Sequence, residues 1–134
     1  MLYGGSSTLH VEAALKNISF VEDFIYASKY IPDDKRMAAL IIATEIFDNI
    51  AEHAVLVKNS SICLTVSNIF FPHVCFKYCS KNFSSLLEAL ENTQPHYDVQ
   101  SKRYRGFGLR MTKNLARKVR YRERFGCVRI VVYL

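Results

Sequence analysis

The length and composition of this chain are those of one globular domain. Its 134 residues, half of them hydrophobic, suffice for a single core over 1–134 and leave no room for a second. No apolar run is long enough to cross a membrane, and the first residues do not resemble a secretory signal, so we expect a cytoplasmic protein.

The formal net charge of +6 is distributed unevenly. Residues 102–134 carry 11 Lys or Arg against a single Glu, whereas residues 1–101 carry 7 against 11 Asp or Glu. Such a basic segment is compatible with nucleic acid, a phosphate ligand, an acidic protein partner or a solvated face.

The first half of the chain predicts a strand and two helices. A short edge strand is expected at 7–12, followed by a helix at 13–28. The predicted inner side of this helix contains Leu15, Ile18, Phe20, Val21, Phe24 and Ile25. Asp33 and Asp34 then follow a proline, and they suit the N-cap and first turn of the second helix.

The second helix carries two kinds of side chain. Its apolar residues recur at helical spacing and are Ile41, Ile46, Phe47, Ile50 and Ala54. Glu45, Asn49 and His53 stand at i, i+4 and i+8, so they present a carboxylate, a carboxamide and an imidazole to one side. Taken alone, these three residues fit a partly solvated helix surface better than a functional site.

The second half predicts two hairpins separated by a polar connection. Alternating residues indicate strands at 62–67 and 74–79. Residues 80–104 are irregular, apart from a helical piece at 84–92, and a connection of this length is typical of a functional lid. Residues 105–109 open a third helix, in which two glycines and free N–H groups favour a bound anion.

The last predicted hairpin consists of 119–124 and 127–134 around Phe125-Gly126. This register places four arginines on one sheet face that should be open to solvent. They are Arg120, Arg122, Arg124 and Arg129. The four cysteines contain no CxxC pair, so we interpret them as small buried core residues rather than metal ligands or disulfides. They are Cys63, Cys75, Cys79 and Cys127.

The order of the elements and two motifs resemble the GHKL (histidine-kinase-like) ATPases, most closely the anti-sigma-factor serine kinases of bacterial partner-switching systems. Residues 45–54 are similar to the family's N box, ExxxNxxxHA, and residues 105–109 to its second glycine box. The resemblance covers most of the chain. It implies an α/β (α+β) two-layer sandwich of the Bergerat type, whose mixed, mostly antiparallel sheet is covered on one face by about three helices.

The resemblance also implies a site for ATP and Mg²⁺. Asn49 would ligate Mg²⁺ through its side-chain oxygen, and Glu45 would act as the catalytic base or orient the attacking hydroxyl. His53 would contact the nucleotide region or merely complete the polar stripe. The other positions expected near the phosphates are Lys102, Arg103, Arg105, Gly106, Gly108 and Leu109.

The chain departs from the family at the first glycine box, roughly DxGxG. The Asp that accepts the adenine amino group falls on Tyr78, and the glycines fall on Ser80 and Asn82. Losing such a buried hydrogen bond weakens recognition by about 1–3 kcal/mol. Tyr78, on the strand face toward the helices, would either stack on the base or fill its pocket. A shifted alignment of a divergent loop is the alternative.

Three functions are therefore compared. The first is an ATP-dependent serine kinase that binds a sigma-type factor and phosphorylates an anti-anti-sigma-like partner, with a homodimer left open. The second is a degenerate GHKL module that regulates through protein contacts without catalysis. The third, ranked last, is a nucleic-acid binder using the arginine face, because no aromatic RNA-reading signature accompanies the arginines.

Overall fold

A five-stranded sheet carries two helices on one of its faces. In this computed structural model, residues 4–57, 61–84, 88, 96–99, 103–105 and 114–134 are described. In chain order the elements are β1 (Ser6–Val11), α1 (Ile18–Ala27), α2 (Arg36–His53), β2 (Ile62–Ser67), β3 (His73–Cys79), β4 (His96–Asp98), β5 (Arg103–Arg105), β6 (Lys118–Arg124) and β7 (Cys127–Tyr133). A single 3-10 turn precedes each helix. The architecture is α+β, as expected.

The strand order is β1-β2-β3-β7-β6, with β4 and β5 forming a separate hairpin. Every pairing within the described residues is antiparallel, so the expected mixed sheet is not observed there. The reason lies in the connections. Two helices rather than one separate β1 from β2, and short turns join β2 to β3 and β6 to β7, so these three neighbouring pairs are antiparallel.

The third expected helix falls mainly on residues 106–113, which lie outside the described part of the chain. Asn114 and Leu115 are helical, and β6 begins at Lys118, one residue before the strand predicted at 119–124. The predicted helical piece at 84–92 also lies largely outside the described residues.

The core lies between the helices and the inner face of the sheet. It contains alternate residues of the three central strands: Ile62, Leu64, Val66, Val74, Phe76, Tyr78, Val128, Ile130 and Val132. From the helices it receives Val21, Ile25, Ile42, Phe47 and Ile50. Burying a side chain of this size stabilises the folded state by about 1.5–3 kcal/mol. The alternate residues of β2, β3 and β7 therefore hold the sheet against the helices.

The sequence pattern predicted more buried residues on the two helices than the structure shows. Phe20 of α1 is 57% exposed and Ile41 of α2 is 37% exposed, and Leu15 lies in the turn before α1 and is also exposed. A helix turns about 100° per residue, so the neighbours of Val21 and Ile42 point away from the buried line. The buried stripe is therefore narrower than hydrophobicity alone suggested.

Arg36 joins the end of α1 to the start of α2. Its Nη1 donates hydrogen bonds to the carbonyl oxygens of Ile25, Tyr26 and Ser28, at 2.8–3.1 Å. Its Nη2 donates to the Ile31 carbonyl and to Asp33 Oδ1, each at 3.0 Å. Neither α1 nor α2 begins with a side-chain N-cap. Asp33, the expected N-cap of the second helix, instead forms an ion pair with Arg36.

The other face of the sheet, which we call the open sheet face, points away from the helices. The strand register places Arg120, Arg122, Arg124 and Arg129 on it, and all four are exposed, as predicted. Lys77 of β3 lies opposite Arg129 and joins them. Lys118 begins the same row on β6.

The cysteines are not uniformly buried, which corrects the sequence interpretation. All four alternate onto the open sheet face, where Cys75 is buried, Cys63 and Cys79 are half-buried, and Cys127 is exposed. Cys79 and Cys127 face each other across β3 and β7 with their Sγ atoms 3.5 Å apart. The hydrogen bond between the two thiols raises the pKa of Cys79.

We expect a thiol oxidant such as diamide to join Cys79 and Cys127 in an intramolecular disulfide. The next pair along the ladder is hydrogen-bonded, from Ser80 N to Gly126 O, so the two cysteines form a non-hydrogen-bonded pair, whose Cα separation of about 4.5 Å suits a disulfide. Peptide mapping of non-reduced protein would identify the product. Cys127→Ser should abolish it and Cys63→Ser should not, whereas a Cys63–Cys75 link would contradict the register.

Candidate functional site

Helix α2 brings Glu45 and Asn49 together inside the protein. Their exposed fractions are 7% and 4%, so the expected partly solvated surface is wrong for this pair. Asn49 Nδ2 donates to the Glu45 carbonyl oxygen at 2.8 Å and to Glu45 Oε1 at 3.1 Å. Because both bonds use the amide nitrogen, Asn49 Oδ1 keeps its acceptor capacity, and the described residues give it no donor.

His53 does not join this pair. It is the last residue of α2, its side chain is 39% exposed, and its Nε2 lies 3.8 Å from Glu52 Oε2. Eight residues along a helix rotate the side chain by about 80° relative to Glu45, so the three-residue stripe diverges at its end. The structure brings Asp48 into the interior instead, at 4% exposure, a position that the spacing argument did not select.

Tyr78 lies in the hydrophobic core. It is 4% exposed and belongs to the same buried cluster as Phe47 and Ile50 of α2. Its hydroxyl group has no hydrogen-bond partner among the described residues, and burial raises the pKa of this phenol well above its usual value. A ring that stacks on a nucleotide base needs an accessible face, so the burial favours filling of the pocket over stacking.

Ser80 and Asn82, which replace the two expected glycines, connect the end of β3 to the end of α2. Asn82 Nδ2 donates to the His53 carbonyl oxygen at 2.8 Å, and its Oδ1 accepts from Val55 N at 2.7 Å. Ser80 Oγ donates to the same Oδ1 at 2.9 Å. Glycine can make none of these bonds, so these positions hold the segment after α2 in place. The only sequence signal for this role was a pair of short polar residues just after a strand.

The remaining predicted site residues are not placed. Lys102, Gly106, Gly108 and Leu109 lie outside the described residues. Arg103 and Arg105 are described only as backbone of β5, which pairs with β4. The expected phosphate half of the site therefore remains a prediction from the sequence.

The described residues fit one part of an Mg-ATP site. Mg²⁺ takes oxygen ligands and keeps several waters, so a single carboxamide oxygen such as Asn49 Oδ1, completed by phosphate oxygens, suits it. Within the described residues no three His, Cys, Asp or Glu side chains gather into a metal site. The adenine ring fits less well, because Tyr78 supplies neither open space nor a carboxylate acceptor at the position expected for it.

Comparison with known proteins does not assign the chain to a family. No family model matches the chain, and a search of curated proteins found no match. Within the described residues, no helix has the length and apolarity needed to span a membrane. The resemblance to GHKL proteins therefore rests on the spacing of Glu45, Asn49 and His53, on residues 105–109, and on the order of the elements.

Proposed function

We propose that this protein is a regulatory module of the GHKL type that acts by binding a protein partner, without dependence on adenine nucleotides. The observation that carries the proposal is the burial of Tyr78 in the core. An adenine site needs a cavity and a specific acceptor, and a tyrosine at 4% exposure provides neither. The anti-sigma-factor kinases that the chain resembles suggest cytoplasmic partners of the sigma-factor and anti-anti-sigma kind, or a second copy of the module.

Ser80 and Asn82 support the same conclusion. A glycine-rich loop lets the backbone approach a ligand closely, whereas here the Asn82 side chain is bonded to His53 at the end of α2 and to Val55 beyond it, and the Ser80 hydroxyl is bonded to Asn82. Opening this region for a nucleotide would break the two bonds that Asn82 makes to His53 and Val55. The geometry therefore favours a fixed surface over a nucleotide-gated one.

A second candidate, an Mg-ATP-dependent serine kinase, is favoured by the buried pair on α2. Keeping a carboxylate and a carboxamide in the interior costs several kcal/mol unless they are well bonded, and Asn49 and Glu45 are bonded to each other. In such an enzyme Asn49 Oδ1 would hold Mg²⁺, which neutralises charge developing on the phosphates. Glu45 would accept the proton of the attacking hydroxyl or orient it.

We expect millimolar Mg-ATP to leave the thermal midpoint of the wild-type protein unchanged. A ligand present at one hundred times its Kd stabilises the folded state by about 2.7 kcal/mol, which a thermal-shift assay detects easily. Mg-GTP and Mg-tripolyphosphate serve as matched ligands, because the latter contains the phosphates without a base. An upward shift with Mg-ATP alone would overturn the first proposal in favour of the kinase.

Two variants then separate metal binding from catalysis. If Mg-ATP binds, Asn49→Ala should abolish the metal-dependent shift, because a metal ligand acts in the ground state. Glu45→Gln should keep the shift and lose phosphoryl transfer, because a base acts mainly in the transition state. Equal loss of binding in both variants would contradict these roles.

A further inference from the structure

The open sheet face is a continuous basic surface. Its Lys and Arg residues are Lys77, Lys118, Arg120, Arg122, Arg124 and Arg129. None of the residues that the register places on this face is Asp or Glu. The ion pairs found among the described residues, Arg36–Asp33 and His53–Glu52, involve none of these six basic side chains. The charge of this face is therefore not neutralised by the described part of the chain.

Three adjoining concavities run across this face. The first, of about 360 Å³, is lined by Phe71, Arg117, Lys118, Arg120 and Tyr133. A second, of about 350 Å³, shares Arg120 and Tyr133 with the first and adds Arg122 and Arg129. The largest, of about 560 Å³, shares those two arginines and continues to Lys77, Arg124 and Cys127. Because neighbouring concavities share lining residues, we refer to the three together as the basic groove.

Two aromatic side chains, which the sequence pattern did not predict for this face, lie at one end of the groove. Phe71, in the β2–β3 turn, is 54% exposed, and the Arg117 guanidinium lies 5.4 Å from its ring centroid. Tyr133 at the end of β7 packs against His73, with ring centroids 5.5 Å apart. These rings come from residues 71–73 and 133, so only the pairing of β3 with β7 brings them beside the arginines of β6.

The β6–β7 turn, next to the opposite end of the groove, has an exposed aromatic residue as well. Phe125 is 97% exposed and has a φ of 53°, and it is followed by Gly126 with a φ of 80°. A two-residue hairpin turn with two positive φ values favours Asn or Gly at its first position, so a phenylalanine here is strained. Backbone strain of this kind clusters at functional sites, and here it presents an exposed apolar ring that could make a contact.

We infer that the open sheet face binds single-stranded nucleic acid, independently of helix α2. Alternate side chains of a strand are about 6.6 Å apart, so Lys118, Arg120, Arg122 and Arg124 form a row suited to successive phosphates of an extended strand. Phe71 and Tyr133 offer π-faces for unpaired bases. An acidic protein would pair with the positive charges but would not supply bases to stack on the two aromatic rings. A second copy of the chain, docked through the same face, would bring its six positive charges against the six of the first copy.

The test uses fluorescence anisotropy with labelled oligouridylate and oligothymidylate, a duplex of the same length, and polyglutamate. We expect both single strands to bind more tightly than the duplex and than polyglutamate. With roughly five phosphate contacts, log K should fall with log salt with a slope of about −3.5. Tighter binding of the duplex or of polyglutamate would overturn the inference, as would a single-strand affinity that salt does not change.

Matched variants locate the site. Arg120→Glu/Arg122→Glu should weaken single-strand binding by roughly a hundredfold, while Lys16→Glu/Lys29→Glu, which changes the net charge equally on the helical side, should have a much smaller effect. Phe71→Ala should weaken binding about tenfold, and Phe20→Ala, which removes a ring of similar exposure from α1, should not. Equal losses within either matched pair would contradict this location.

Discussion

Replacing Arg36 with alanine is expected to destabilise the protein by about 3 kcal/mol and to lower its thermal midpoint by roughly 10 °C. The guanidinium group donates to four backbone carbonyl oxygens between Ile25 and Ile31 and to Asp33. Three of these carbonyls lie at the C-terminal end of α1, where a helix has acceptors without intrahelical partners and a cation is favoured. Without Arg36 the link between the helices loses all of these bonds.

Urea unfolding of three variants would measure this effect. Arg36→Lys keeps the charge but cannot reach several carbonyls at once, so its loss of stability should be intermediate. Lys35→Ala removes the neighbouring charge, for which the described residues provide no ion pair, and should change the free energy of unfolding by less than about 0.5 kcal/mol. A similar loss for Arg36→Ala and Lys35→Ala would show that net charge, not the hydrogen bonds, stabilises this joint.

Two substitutions of Tyr78 should change the free energy of unfolding in opposite directions. Tyr78→Ala should cost about 3–5 kcal/mol, because it leaves a cavity in the core. Tyr78→Phe should raise the free energy of unfolding by about 1 kcal/mol, because it removes a buried hydroxyl group that has no partner among the described residues. Destabilisation by Tyr78→Phe would show that the hydroxyl is bonded and that this pocket is not purely apolar.

The same phenol makes stability depend on alkaline pH. Burial raises the pKa of Tyr78 above the unfolded value of about 10, so above that pH the folded state holds a proton that the unfolded state has lost. The stability is fully present below pH 10 and falls by up to about 1.4 kcal/mol per pH unit above it. Tyr78→Phe should lose less stability than wild type over this range. Tyr26→Phe, at an exposed position, should behave as wild type.

The local pattern of residues determined much of the fold. The alternation at 62–67 and 74–79 predicted β2 and β3 closely, and it placed Tyr78 on the inner side and the arginines of β6 and β7 on the outer side. The period of a strand or helix decides which side chains share a face, and only nearby residues are needed to read it. The spacing of Glu45 and Asn49 likewise predicted that the two side chains meet.

Neighbours that are distant in sequence were decided only by the tertiary structure. Glu45 and Asn49 are buried while His53 is exposed, because burial depends on what packs over α2 and not on the spacing within it. The pairing of β3 with β7 brings Cys79 opposite Cys127 and adds Lys77 to the arginines. It also places Phe71 and Tyr133 at one end of the basic groove. No local period encodes such contacts, since they follow from the order and register in which separate strands pair.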